Sequence, residues 1–318
     1  MAKTIDYGRF IPERIEEWAY YICERENVHR LKVAGHPPPW THDQVIAGNR
    51  FCNNRRMDDK VSIWLRENWF LGNGYAEPRT ALIAGLLARM INKPETLSYL
   101  TSNKKYSKWD YPLFHKRMYE VKATGKAVFT SAYIINGASG GPKIDQVLGA
   151  IQDCVTRCNP QADKFIVPHS MQESAKRLES LRGVGSFISG QVVADLRWVL
   201  GDIEKGWWVD RMTWAPPGPG SSRGMKYLTG LGSPADMAGR GKDMVERDFL
   251  PALRELILLA QRHPKVGKVF AERKLEAHDI QNTLCELGKF IRVKYGEGRA
   301  KNSFDAKSSY STQVMQEL

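Results

Sequence analysis

Residues 181–196 read LRGVGSFISGQVVADL. Gly183 and Gly185 bracket Val184, Leu181 stands two positions before them, and an apolar stretch opens at Phe187. That layout predicts a tight glycine turn between two helices. The backbone at Gly183 and Gly185, free of Cβ atoms, would let amides at a helix N-terminus approach a DNA phosphate. The expected unit is a helix-hairpin-helix, its arms lying over 171–181 and 187–200. Working outward, apolar residues recur at helical spacing over 11–23, 61–69, 80–91, 144–158, 242–261 and 278–293. Strand signals are few: VFTSAYII (128–135) fits a strand or a buried helix equally well. The expected fold class is mainly α. No helical repeat is present, and a single helical body over 1–300, with room for two lobes, is expected to precede a mobile polar tail at 301–318.

Charge narrows the partners. Forty-seven Lys and Arg against 35 Asp and Glu leave +12, which favours a polyanion, nucleic acid first and an acidic membrane surface second. Apolar runs such as 81–88 are far shorter than the roughly 18 residues of a membrane span, and MAKTIDYGRF carries no apolar signal core. A cytoplasmic protein without a membrane partner is expected. Five scattered cysteines, 23, 52, 154, 158 and 285, suit free thiols in a reducing compartment. Cys154 and Cys158 share a helical stretch, but no second Cys or His pair completes zinc spacing, so no metal is expected. HPPPWTH (36–42) reads as a stiff loop carrying surface histidines. GASGGPK (137–143) lacks the GxxxxGK[ST] of a phosphate loop, which disfavours ATP chemistry.

Three further segments carry chemistry. In TWAPPGPGSSRGMKYL (213–228), Pro216, Pro217 and Pro219 stiffen the chain and Gly218 and Gly220 permit close approach. Ser221, Ser222 and Arg223 can donate to an anion before a helix begins, so a second anion cradle is expected. Asp210 lies just upstream in WWVDRMTW, where indoles would desolvate a carboxylate and suit it to general-base work; a surface ion pair with Arg211 is the plain alternative. NRFCNNRRMDD (49–59) interleaves Arg50, Arg55 and Arg56 with Phe51, Asn53, Asn54 and Asp58, a mixture fit for phosphate clamping and base-edge hydrogen bonds. In HDIQNTLCELGKFIRVKYGEGR (278–299), Leu284, Leu287 and Ile291 form an apolar stripe, and Glu286 and Lys289 lie off it.

Taken together these segments resemble the phage α-glutamyl/putrescinyl thymine pyrophosphorylase family, the amino acid:DNA transferases of thymine hypermodification. The likeness runs from about 49 to 299, and its specific parts are GPGS-x-RG and LCE-x-x-K-[FY]. Leu287-Gly288 stands here where the family pattern has Phe-Asp before the Lys. The resemblance implies a helix-hairpin-helix DNA glycosylase-like fold with two lobes around a DNA-binding cleft, a helical domain shared with hydroxymethyluracil DNA kinases. It implies as substrate double-stranded DNA containing 5-hydroxymethyluracil that bears a phosphate or pyrophosphate, displaced by an amino acid or polyamine without a redox cofactor. Asp210 is then the expected base, with Asp195 or Glu286 in reserve. Gly183 and Gly185 would grip the backbone. Gly218, Gly220, Ser221 and Arg223, or Arg50, Asn53, Arg55, Arg56 and Lys289, would hold phosphate and DNA. A DNA glycosylase and a non-catalytic DNA-binding module are the rival readings.

Overall fold

The computed structural model describes residues 5–70, 78–102, 109–130, 141–158, 164–197, 200, 208–237, 243–299 and 304. Among them lie thirteen α-helices and no β-strand, so the chain is mainly α. They divide between two compact units. Unit 1 comprises residues 1–59 and 213–318, and unit 2, residues 60–212, lies between its two parts in sequence.

Unit 1 contains α1 (Pro12–Val33), α2 (Gln44–Gly48), α10 (Pro219–Leu228), α11 (Glu246–Arg262), α12 (Val266–Arg273) and α13 (Ala277–Lys294). Helix α13 is its centre. It packs on α1, α10 and α11, and its stripe of Ile280, Leu284, Leu287, Phe290 and Ile291 is buried. Each such side chain withdrawn from water contributes about 1.5–3 kcal/mol before entropy is charged. From α1, Trp18 donates its indole N–H to Thr283 at 3.2 Å, and Tyr21 lies 5.3 Å from the Phe290 ring.

Unit 2 contains α3 (Lys60–Trp64), which widens into a π-helical turn over Leu65–Phe70, then α4 (Pro78–Ile91), α5 (Pro94–Leu100), α6 (Tyr111–Ala123), α7 (Lys143–Cys158), α8 (Met171–Leu178) and α9 (Ser186–Leu196). Every residue from Ala81 to Ile91 is buried, as expected of a helix surrounded by others. Around α4 pack α5, α7 and α9. The apolar run at 81–88 is thus core, and no helix among the described residues is long and apolar enough to cross a membrane.

The periodic segments become α1, α3, α4, α7, α8, α9, α11 and α13. One expectation is corrected: the helix in GPGSSRGM begins at Pro219, with Ser221, Ser222 and Arg223 already inside it. Proline at the first helical position is preorganised for that start, its missing N–H being unneeded there. Residues 131–135 of VFTSAYII and 137–140 of GASGGPK lie outside the described residues, as does 301–318 apart from Phe304.

Candidate functional site

Two helices of unit 1 are fitted to one another by glycine. A Cβ on Gly220 would overlap the Cys285 side chain, and one on Gly224 would overlap the Leu284 carbonyl. Helices α10 and α13 can therefore meet at backbone distance, which is the physical content of the GPGS-x-RG and LCE segments. Both serines are occupied in this junction. Ser221 Oγ accepts the Gly218 N–H at 2.9 Å and Gln281 Nε2 at 3.2 Å, and Ser222 Oγ accepts the Met244 N–H at 3.0 Å. Arg223 follows directly, half-buried, and its charge opposes the rise of the Cys285 pKa.

Against α13 lies the loop of residues 49–59, its backbone held by side chains. The buried Glu286 accepts the Cys52 N–H at 3.1 Å through Oε2 and pairs there with Lys289 Nζ at 2.7 Å. Lys289 Nζ also donates to the Arg50 carbonyl at 3.0 Å and sits 5.0 Å from the Phe51 ring centre. Asn282 donates to the Asn53 carbonyl, and the Arg56 N–H to Asp279 Oδ1 at 2.9 Å. From α1, Arg25 reaches the Cys52 carbonyl at 3.3 Å and Asn53 Oδ1 at 3.1 Å.

This bracing assigns several expected DNA contacts to the loop itself. Asn53 Nδ2 donates to the Asp58 carbonyl, and Asn54 Nδ2 to the Ile22 carbonyl from a buried position. Asp58 pairs with Arg273. Arg50 remains exposed and Arg55 half-exposed.

The braced loop brings two carboxylates and two thiols together. The Asp59 carboxyl is pushed up to about 6, burial outweighing the Asn53 N–H it accepts at 3.1 Å and the positive charge of Arg56, with Glu286 adding to the rise. Desolvation by the atoms packed around each sulfur and then the Glu286 charge push the Cys52 thiol well above its ordinary range and Cys285 to about 11, although both residues are exposed at the surface of the chain. Both are free cysteines. They are thiols rather than thiolates at neutral pH, so neither is an activated nucleophile. Asp59, by contrast, exchanges a proton close to neutrality, as general acid–base work requires.

In unit 2 the expected hairpin joins α8 to α9, which pack on each other. Leu181 and Val184 are buried while Gly183 and Gly185 are exposed. Gly183 has φ +74° and its Cβ position lies 3.1 Å from Ala150, so conformation and space both call for glycine. Asp195 is fully buried and paired twice with Arg89, at 2.5 and 2.6 Å. Asp210 caps α8: its oxygens accept the N–H groups of Met171 and Gln172 at 2.9 and 3.0 Å and the Ser170 hydroxyl at 3.3 Å.

Glu286, Lys289, Arg50, Asn53, Arg55, Arg56, Gly218, Gly220, Ser221 and Arg223 belong to unit 1, and Asp195, Asp210, Gly183 and Gly185 to unit 2. Sequence reasoning passed over Asp59 and Arg25. Asp59 follows another aspartate in a charged run; in the fold Asp58 pairs with Arg273 while Asp59 accepts the Asn53 N–H. The sole hint of Arg25 is its place within the apolar rhythm of α1.

No curated protein and no solved structure matches the chain significantly. A family model described as the helical domain of 5-hmdU DNA kinase matches residues 13–300, and the chain belongs to that family.

Proposed function

We propose that the protein acts on 5-hydroxymethyluracil in DNA and replaces the phosphate or pyrophosphate of its phosphorylated form by an amino acid or amine. What carries the reading is the braced loop on α13, which sets a near-neutral carboxylate, Asp59, beside Glu286 within the arginine-rich segment 49–59. Its arginines, with Arg223 on α10, supply positive charge for an anionic leaving group. The family's name supports the choice of nucleobase, and the +12 charge supports DNA as the carrier.

In the proposed reaction the exocyclic C–O bond breaks, and the phosphate departs with the electron pair. The amine nitrogen forms the new C–N bond and gives a proton to a carboxylate. Asp59, with Glu286 beside it, is the better-suited acceptor, because Asp195 is taken up by Arg89 and Asp210 by the cap of α8. The glycine hairpin of Gly183 and Gly185 is proposed as a backbone grip, by analogy with helix-hairpin-helix DNA glycosylases.

The test incubates the protein with DNA containing phosphorylated 5-hydroxymethyluracil and a panel of amines, digests it to nucleosides and weighs them. An amine adduct supports the transferase, and its absence with every amine refutes it. Asp59→Asn should lower turnover by about 100-fold to 10,000-fold. If Asp210→Asn does so instead, the base is Asp210. A second reading, favoured by the kinase in the family's name, is a helical body that presents hydroxymethyluracil for phosphorylation. It would show as a phosphorylated nucleoside from unphosphorylated substrate and ATP. The 318 residues contain no GxxxxGK[ST] segment, which weighs against it.

A further inference from the structure

Beside the braced loop, within unit 1, is a small open hollow of about 80 Å³. Three aromatic residues line it: Trp40 from the HPPPWTH stretch, Phe51 from the braced loop, and Phe304 from far along the chain. Arg25, Lys32 and Arg50 line it too, and no acidic residue does among the described residues.

The lining is fixed before any ligand arrives. The Trp40 indole N–H donates to the His36 carbonyl at 2.6 Å. Phe51 lies 5.6 Å, edge-on, from Tyr21 and under Lys289. The Phe304 N–H donates to the Gly48 carbonyl at 3.1 Å, and its ring stands 6.4 Å from Trp40 with Lys32 Nζ 5.3 Å from its centre. An aromatic ring is thus already seated on this wall.

Charge selects between the two co-substrates of the proposed reaction. A protonated amine would meet three cations and no carboxylate. A planar ring with an anionic substituent would gain stacking surface and an arginine together. We infer that this hollow receives the extruded pyrimidine of the DNA substrate, its ring against Trp40, Phe51 and Phe304 and its anionic substituent towards Arg50. The inference rests on the reading that the protein acts on a base in DNA.

A duplex with one 5-iodouracil opposite guanine, a mismatch that lowers the extrusion cost, tests this by photocrosslinking and peptide mass mapping. The crosslink should fall on Trp40, Phe51 or Phe304, and an oligonucleotide with phosphorylated hydroxymethyluracil should suppress it more than an unmodified one. A wild-type protein that binds this duplex but crosslinks elsewhere overturns the pocket and leaves the DNA reading standing. A protein that binds neither duplex nor substrate DNA overturns both. Phe304→Ala should weaken binding of the mismatched duplex by about 5-fold to 100-fold, the usual worth of one stacked base, and leave affinity for fully paired duplex unchanged. Equal loss for both duplexes would also overturn the assignment.

Discussion

Asp59→Asn should stabilise this protein at neutral pH while lowering its activity. The carboxyl rises from an ordinary 3.8 to about 6 in the folded chain. Below pH 3.8 both folded and unfolded forms carry the proton, and the site costs nothing. Between 3.8 and 6 the folded form keeps a proton that the unfolded form releases, so stability falls as pH rises through that window. Above 6 the loss is complete, and a rise of this size corresponds to about 3 kcal/mol. Asparagine keeps an oxygen for the Asn53 N–H and removes the charge. The gain should therefore reach up to about 3 kcal/mol at pH 7 and vanish below pH 4. Native-state hydrogen exchange of α13 amides reads this directly, since loop and helix share unit 1. A variant no more stable than the wild type at pH 7, or equally stabilised at both pH values, refutes the argument. Stability gained with turnover lost is the signature of a group retained for chemistry.

Other perturbations test the remaining parts. Gly224→Ala places a methyl group into the Leu284 carbonyl and should destabilise unit 1 by about 1–3 kcal/mol or more, measured as a lower urea midpoint. Asp195→Ala removes the carboxylate paired with the buried Arg89 and should cost about 3–5 kcal/mol; near-wild-type thermal stability would contradict the pairing. Arg55→Ala should reduce the slope of log K against log salt for DNA binding by about 1, and an unchanged slope would assign Arg55 to a solvated face. Glu286→Gln withdraws a charge that raises Asp59 and should shift the Asp59 carbon resonance titration to lower pH.

The long helices were legible because burial on one face writes a period into the sequence, most plainly in α13 with Leu284, Leu287 and Ile291. α10 was misread at its start, since Pro-Gly-Pro-Gly signals a loop locally while Pro219 and the Ser221 cap serve a helix. For the candidate site, Glu286 and Lys289 on one side and the arginines on the other fall in two sequence segments that the fold brings against each other. Their tasks were hidden because hydrogen bonds to the backbone leave no periodic trace. Asn53 and Asn54 look like base readers and brace a loop; Asp59 looks like its neighbour, and only the fold gives Asp58 the Arg273 guanidinium and Asp59 a backbone N–H.

The braced loop ends at Asp59, and the helix that braces it begins at Ala277. At about 5–20 residues per second, a ribosome spends roughly 10–45 s on the intervening stretch, during which Cys52 and Arg50 lack their anchors on Glu286 and Lys289. Unit 2 is meanwhile synthesised whole. Its helices pack among themselves and can do so before unit 1 is complete. The proposed chemistry thus appears late on the nascent chain, and a product stopped before α13 would carry a folded unit 2 with no assembled site.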